Sequence, residues 1–190
     1  MSASATPVAV GRPGIGDALV GWARRNAWVL GLLGFLILLL LFTKVIQPRY
    51  GPIPIQGLGT SVLPLALAAV AQAIVVIGGG LDLSIGSMMA FTSVVAATAM
   101  KDQSEEFAIV VVVGVLLLGV VLGAINGGLV VVTRVPDIVV TLAMSFVWAG
   151  CALLVRAAPG GGAADWLKNL VIGSLGSEWI PRAAVALVVI

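Results

Sequence analysis

Long apolar runs alternate with short polar connectors along most of this chain. Five runs occupy residues 27–43, 62–77, 85–100, 107–132 and 138–155, and another begins at residue 183. Each of the five approaches or exceeds the roughly 20 residues that a helix needs to cross a bilayer, and none contains a formal charge. The pattern predicts an all-α, polytopic transmembrane helix bundle with about five complete spans plus the start of a sixth.

The two ends of the sequence differ from the runs between them. Residues 1–26 are mostly polar or small and finish in Arg24 and Arg25, which predicts an N-terminal tail with a short interfacial helix over 15–22. We expect this tail to be cytoplasmic, but the distribution of Lys and Arg between the two sides does not decide the orientation. Residues 27–190 then form the transmembrane domain. The last run has only eight residues, too few to cross a hydrocarbon core of about 30 Å, so we expect the sequence to be the N-terminal part of a longer chain.

A segment at 78–87, with the sequence GGGLDLSIGS, interrupts the apolar pattern between the second and third runs. Three consecutive glycines are unfavourable inside a helix, so the chain is expected to turn here. Asp82 is the only charge between residues 62 and 100, and a carboxylate just before a helix suits an N-terminal cap. Two depths are compatible with the pattern: a hinge near one membrane face, or a re-entrant break at the midplane.

Three glycines in the fourth run predict a packing face. Gly119, Gly123 and Gly127 recur every four residues, so they line one side of a helix. Without side chains, they form a groove into which the backbone of another helix fits. We therefore expect close helix–helix packing along this row.

Proline and tryptophan positions predict the boundaries of other segments. Pro64 is expected in the first turn of the second span, after a connector over 44–61. Pro136 and Asp137 predict the start of the fifth span, because proline fits a first turn and aspartate favours the positive end of the helix dipole. The longer connector over 156–182 contains tryptophans, which predicts a segment lying at the membrane surface.

Composition excludes several classes of function. The chain is 61% hydrophobic and 9% charged, with a mean hydropathy of +1.20, so lipid must surround most of it. A net charge of +2 is too small to indicate a nucleic-acid partner. With no histidine and a single cysteine, the sequence predicts no metal site. No glycine-rich loop ends in the Gly-Lys-Ser/Thr of a nucleotide-hydrolysing P-loop, so any energy is expected to come from a partner rather than from catalysis by this chain.

Two segments resemble a known family. GGGLDLSIGSMMAF at 78–91 resembles the Gly-Gly-Ile-Asp-Leu-Ser-Val-Gly-Ser signature of the permease subunits of ribose, xylose and galactose-type ATP-binding cassette importers. INGGLVVVTRVPDIVVTLAM at 125–144 resembles the same family's Asn-Gly segment, basic-Val-Pro turn and Val-Thr-Leu helix start. The resemblance corresponds to the N-terminal half of a member, and its motif positions are Gly78, Gly79, Gly80, Asp82, Ser84, Gly86 and Ser87.

This resemblance implies a multi-pass permease subunit of the bacterial inner membrane. Such a subunit forms a homodimer, receives a monosaccharide from a periplasmic sugar-binding protein and is opened by a cytoplasmic ATPase that hydrolyses the ATP. No cofactor is expected on the chain itself. Two departures from the family pattern are Leu81, where isoleucine is usual, and Asp137, where a small or apolar residue is commoner. The alternatives are a permease for branched-chain amino acids or nucleosides, and a truncated, non-transporting membrane assembly protein.

Five polar residues are candidates for a substrate pathway or gate: Gln72, Asp82, Ser84, Asn126 and Thr141. Each also has a purely structural interpretation. Asp82 and Ser84 suit helix capping, Gln72 suits an interhelical hydrogen bond, and Asn126 suits packing beside the glycine row.

Two further side chains of the fifth span have similar alternatives. Ser145 and Thr141 are expected to donate to carbonyl groups of their own helix, as hydroxyls in apolar helices usually do. Trp148 either stacks on a sugar ring or packs inside the protein. No catalytic residue and no metal ligand is predicted.

Overall fold

The computed structural model describes residues 15–48, 50–175 and 177–189, and the chain divides into two compact units, Met1–Tyr50 and Gly51–Ile190. The first unit contains α1 (Ile15–Arg25) and α2 (Ala27–Ile46). The helix predicted over 15–22 is therefore present and is three residues longer at its C-terminal end. Residues 1–14 of the predicted tail lie outside the described residues, and the tail boundary after residue 26 stays a prediction.

The second unit contains most of the regular elements of the chain. One short antiparallel pair of strands separates the last two helices, with Ser174 opposite Pro181. In chain order the elements are α3 (Pro52–Ile77), α4 (Ile85–Ala99), α5 (Phe107–Thr133), α6 (Asp137–Val155), α7 (Asp165–Val171), β1 (Ser174–Leu175), β2 (Ser177–Pro181) and α8 (Arg182–Val189).

Within the part of the chain that the structure describes, four helices are long and apolar enough to cross a membrane: α2, α3, α5 and α6. This confirms the prediction of an all-α, polytopic membrane bundle. The third predicted span is present as α4, but its 15 residues extend only about 22 Å at 1.5 Å per residue. It is therefore shorter than the hydrocarbon core, and the chain must cover the missing distance with the non-helical residues that precede it.

The start of α3 differs from the prediction. The helix begins at Pro52, ten residues before the predicted start at 62, and Pro64 lies in its interior rather than in its first turn. Pro52 occupies the first turn instead, where a missing N–H costs little. In an apolar setting, continuing the helix past Pro64 leaves fewer backbone groups unpaired than unwinding a turn would.

Three helices of the second unit pack closely. α4 contacts α6 along its length and also packs on α5. Leu83, just before α4, bonds to Thr141 near the start of α6, and Ala97 near the end of α4 accepts from Gly162, beyond the end of α6. α4 and α6 are consequently parallel, and α5 runs antiparallel to both.

The C-terminal end of α4 is covered by a second glycine triplet, Gly160–Gly162. Gly161 has φ +123°, and a Cβ atom added there would lie 2.6 Å from the Cβ of Ala97. Only glycine allows this approach of the loop to the helix. Beside it lies a small apolar core of buried residues from the end of α4, the start of α5 and the residue before α7: Met100, Ala108, Val111 and Ala164.

The N-terminal half of α3 packs against β2 and α8. A Cβ atom added at Gly59 would lie 3.0 Å from the Cβ of Pro181, so the two segments are in close contact. Ala183, at the start of α8, is fully buried.

Candidate functional site

The glycine triplet at 78–80 ends α3 in a Schellman motif. The Gly79 N–H donates to the Val76 carbonyl at 2.9 Å, and the Gly80 N–H donates to the Val75 carbonyl at 3.0 Å. Gly79 has φ +86°, in the left-handed region that costs other residues roughly 1–2 kcal/mol. The predicted interruption of the helical pattern is confirmed, and its physical cause is this glycine-dependent helix end. Residues 78–84, between α3 and α4, are called the break below.

The chain between α3 and α4 is not helical, and side chains of α6 bind its backbone. The Leu81 N–H donates to the Asp137 carboxylate, and the Leu83 N–H donates to Thr141 Oγ1 at 3.1 Å. The Thr141 hydroxyl in turn donates to the Leu81 carbonyl at 3.4 Å. Backbone groups in an apolar setting need partners. The start of α6 therefore supplies the partners that the break in the helix removes.

Asp82 and Ser84 also stabilise this segment locally. Asp82 Oδ1 accepts from the Ser84 N–H at 2.7 Å and from the Ser84 hydroxyl at 2.6 Å. The helix α4 begins at Ile85, as predicted, and Ser84 rather than Asp82 is its N-cap residue, with no side-chain cap hydrogen bond. The predicted cap by Asp82 was therefore wrong in position, because its carboxylate binds the N–H of Ser84. The second oxygen of Asp82 makes no hydrogen bond within the described residues.

A buried chain of hydrogen bonds connects Ser84 with the other two helices. Asn126 Nδ2 on α5 donates to Ser84 Oγ at 2.5 Å, and Trp148 Nε1 on α6 donates to Asn126 Oδ1 at 3.1 Å. The Trp148 ring stacks on Phe91 of α4, with centroids 6.2 Å apart and planes at 7°. Ser84, Asn126 and Trp148 are 0%, 3% and 7% exposed. The cluster joins α4, α5 and α6 and leaves none of these three side chains without a partner.

Along the axis of α5, the break lies at a level between the middle of that helix and its C-terminal end. Asn126, which contacts Ser84, is seven residues before the end of α5 at Thr133, a distance of about 10 Å along the helix. Thr141 is four residues, about 6 Å, inside the start of α6. The non-helical residues 81–84 are therefore flanked by helix on α5 and α6 rather than lying beyond the helix ends.

The structure brings four of the five candidate pathway residues together. Asp82, Ser84, Asn126 and Thr141 all lie at the break, whereas Gln72 lies further back on α3. The Gln72 side chain is half-buried and makes no hydrogen bond to another described residue. The predicted interhelical bond of its amide is therefore not observed among those residues.

The two hydroxyl groups of α6, those of Ser145 and Thr141, behave differently from one another. Ser145 donates to the carbonyl of Leu142 in its own helix at 2.6 Å, as predicted. The same prediction for Thr141 was wrong, because its hydroxyl faces the break and binds Leu81 there. Ser87, a motif residue, donates to the Ser84 carbonyl at 2.8 Å.

The predicted packing row on α5 is open in this chain. A Cβ atom added at Gly119, Gly123 or Gly127 would meet no described heavy atom within 4 Å. The same holds for the motif residue Gly86. Packing of another helix on the row stays a prediction, and the described residues do not supply that helix.

Two adjoining cavities open at the break. The larger, of about 450 Å³, is bordered by the polar side chains of Asp82, Asn126, Asp137 and Thr141 and by Gly123. The second, of about 310 Å³, is bordered mainly by apolar residues of α3 and α4 and also reaches Asp82. Among the described residues, Asp82 is the one ionisable side chain that borders both cavities.

Two residues of this site were not among the predicted site residues, and each had a sequence signal. Asp137 was interpreted only through the dipole of α6; it does accept from the Ile138 N–H at 2.9 Å, but its other oxygen accepts from Leu81. Asp137 and Thr141 are four residues apart, on one face of α6. Two hydrogen-bond acceptors one turn apart at the start of an apolar helix are a signal that they serve backbone groups outside that helix, but the groups they serve are 56 and 58 residues away in sequence. Trp148 proves to be a packing residue that also donates a hydrogen bond.

The polar groups of the site can donate and accept hydrogen bonds. Within 15–48, 50–175 and 177–189, no three His, Cys, Asp or Glu side chains are grouped so as to hold a metal ion. The polar atoms at the break comprise carboxylate, amide, indole and hydroxyl groups. Most of them bind one another, and the second oxygen of Asp82 is left as an acceptor beside the cavities.

Comparison with known proteins gives one family. Residues 55–175 match the family model described as branched-chain amino acid transport system / permease component. This range includes the break and all of α4, α5 and α6.

Curated relatives share the same region. The autoinducer 2 import system permease protein LsrD of Salmonella paratyphi A is 31% identical over 139 residues, which are 72% of this chain and 41% of the relative. The protein of the same name from Escherichia coli O9:H4 is 30% identical over 137 residues, with the same coverage. The chain thus spans about 41% of the length of these relatives. No solved structure matches it.

Proposed function

Because the chain belongs to the family of branched-chain amino acid transport system permease components, we propose that it is the membrane-spanning permease of an ATP-binding cassette importer. The proposed solute is a monosaccharide, delivered by a periplasmic binding protein. Hydrolysis of ATP belongs to a separate cytoplasmic ATPase, and the pore is completed by a second permease copy. The proposed location is the bacterial inner membrane.

The main support is the position of Asp82 beside the larger cavity. One oxygen of its carboxylate is fixed by Ser84, so the second oxygen is held in place without a partner among the described residues. A neutral, hydroxyl-rich solute presents O–H donors that such an acceptor binds. Discontinuous helices with polar groups at the break are typical of transport sites in membranes.

The other candidate pathway residues divide into two roles. Asn126 and Thr141 already use their polar atoms to hold the break, so we assign them the positioning of Asp82 rather than direct solute contact. Gln72 has an amide that no described residue binds, so it remains available to a solute or to a partner helix. Ser84 orients the carboxylate of Asp82.

Uptake in cells tests this proposal. The gene is deleted and restored on a plasmid as wild type, Asp82→Asn, or Asp102→Asn, a charge removal on a connector distant from the cavity. We expect deletion to abolish uptake of at least one labelled monosaccharide among ribose, xylose and galactose. Asp82→Asn should fail to restore it at equal membrane abundance, whereas Asp102→Asn should restore it. Unchanged uptake of every sugar after deletion would refute the proposal.

The solute class has one alternative with specific support. The description of the family names branched-chain amino acids, whereas the named relatives import autoinducer 2. The same strains are therefore assayed with leucine and with autoinducer 2. A defect confined to leucine would replace the monosaccharide with an amino acid, and a defect with autoinducer 2 alone would replace it with that compound.

A further inference from the structure

A groove lies at the opposite end of the three packed helices, between the start of α5 and α7. Its volume is about 290 Å³, and it is lined by Glu105, Glu106, Ile109 and Trp166. The carboxylates belong to the charged connector between α4 and α5, whereas Ile109 belongs to the first turn of α5, a helix able to span the membrane. The groove therefore straddles the boundary between polar and apolar surface.

The wall formed by α7 is fixed by several hydrogen bonds. Trp166 Nε1 donates to the Glu105 carbonyl at 3.2 Å, which sets the orientation of the indole ring. The N–H of Asp165 donates to both oxygens of the Glu105 carboxylate, at 3.0 and 3.1 Å. The half-buried indole also packs on the small apolar core. The groove is thus lined by a ring that does not need to reorganise before binding.

Among the described residues, no lysine or arginine pairs with either carboxylate of the groove. Lys101 pairs with Asp102 at 3.8 Å, and Lys168 pairs with Asp165 at 2.8 Å. The Glu105 carboxylate is occupied by the start of α7. Among the described residues, Glu106 has neither an ion pair nor a side-chain hydrogen bond. A carboxylate beside an aromatic ring favours an ammonium group, through charge attraction and cation–π contact.

The apolar side of the groove continues onto the exterior of α5. Ile109 is 58% exposed, and Val113 and Leu116, which follow it at helical spacing on the same face, are 52% and 67% exposed. On a helix able to cross the bilayer, such a stripe faces acyl chains. An occupant of the groove thus meets a carboxylate and an indole at one end and hydrocarbon at the other.

We propose that this groove is a binding site for a phospholipid whose headgroup carries a primary ammonium, of the phosphatidylethanolamine type. The ammonium lies between the Glu106 carboxylate and the Trp166 ring, and an acyl chain follows Ile109 along α5. The site is separate from the break at residues 78–84 and does not depend on the transported solute.

Native mass spectrometry of the purified full chain in detergent tests this site. Phosphatidylethanolamine and phosphatidylglycerol with identical acyl chains are added in equal amounts to wild type, Glu106→Gln and Asp102→Asn. Asp102→Asn is the matched control, because it removes the same charge from the same connector without touching the groove. We expect wild type to retain phosphatidylethanolamine about fivefold over phosphatidylglycerol, as one favourable charge contact at an exposed site predicts. Glu106→Gln should abolish this preference, and Asp102→Asn should keep it.

Several outcomes would overturn the proposal. Equal retention of the two lipids by wild type would do so without reference to any variant. An equal loss of preference in Asp102→Asn would assign the effect to the overall charge of the connector. Displacement of the lipid by millimolar free ethanolamine would assign the groove to a soluble amine instead. Melting temperatures of the variants are measured alongside, so that a folding defect is recognised.

Discussion

Two neighbouring rows of α5 have opposite surroundings. In one row Leu122 and Asn126 are buried, and the Asn126 amide binds both α4 and α6. In the other row Gly123 and Gly127, which directly follow those two residues in sequence, have open space where a side chain would be. One row of α5 is therefore packed by other described residues, whereas the other row is not.

The difference follows from what each row requires. An unpaired amide in an apolar setting is costly, so a polar residue must find its partners within the fold. A row of glycines has no polar side chains that need partners, so it can face lipid or another helix. We infer that the row of Leu122 and Asn126 determines how α4, α5 and α6 pack, whereas the glycine row is available for assembly. The predictions below test this division, from the largest expected effect to the smallest.

Asn126→Leu should produce the largest loss of stability. It removes the donor to Ser84 Oγ, which keeps its hydrogen bond to Asp82, and the acceptor of the buried Trp148 indole N–H, which is left unpaired. We expect the free energy of unfolding to fall by about 2 kcal/mol, measured by titration with sodium dodecyl sulfate in mixed micelles. Ile125→Leu, at the neighbouring exposed position, is the control and should change little. Equal effects of the two variants would contradict the assigned role of the amide.

Thr141→Val should have the next largest effect. The substitution preserves shape but leaves the Leu83 N–H without its acceptor. We expect a loss of roughly 1–2 kcal/mol in the same titration. Thr133→Val is the matched control, because the Thr133 hydroxyl is exposed, donates to the Leu129 carbonyl in its own helix and accepts only a long hydrogen bond, of 3.4 Å, from the Val135 N–H. If both valine variants are equally stable, the break does not depend on α6 for its hydrogen bonds.

Gly79→Ala and Gly123→Ala compare a required glycine with an open one. Gly79 has φ +86°, so alanine there should destabilise the chain by about 1 kcal/mol. At Gly123 an added Cβ meets no described atom, and alanine should change stability by less than about 0.5 kcal/mol. A large loss at Gly123 in the assembled protein, but not in the isolated chain, would show that a partner helix covers the row.

The smallest expected effect on stability concerns the ion pair of Asp165 and Lys168. The hydrogen bond and the positive charge of Lys168 lower the pKa of Asp165 below its ordinary value of 3.8. A lowered folded-state pKa stabilises α7 above that ordinary value, and the contribution disappears as the pH falls through the lowered pKa. Because the carboxyl is fully exposed, we expect only a slight increase in amide hydrogen exchange of α7 on acidification. Asp165→Asn should remove this pH dependence.

Helix number and the position of the break could be predicted because both rest on local sequence. Apolar runs determine spans, and Gly79 is required by a local helix end. The extra turns of α3 before residue 62 could not be predicted, since Pro52 and Pro64 each suit a helix start when read locally. Composition alone therefore placed the start of α3 too late.

The partners at the break were harder to predict because they are distant in sequence. Asp137 and Thr141 are 56 and 58 residues from the backbone groups they bind. Local rules assigned Asp137 to the dipole of its own helix and Thr141 to its own helix carbonyls. The first assignment is correct but incomplete, and the second is wrong. Only the packing of α6 parallel to α4 brings these side chains to the break.

The distance in sequence between the break and its partners also has a consequence for biosynthesis. While the ribosome is still making α5, the Leu81 and Leu83 N–H groups have no acceptor, because Asp137 and Thr141 do not yet exist. α4 is too short to cross alone, so its stable insertion must wait until α6 leaves the translocon. A nascent chain stalled before Asp137 should therefore leave a cysteine placed at residue 83 open to a water-soluble maleimide. A chain stalled after α6 should protect it.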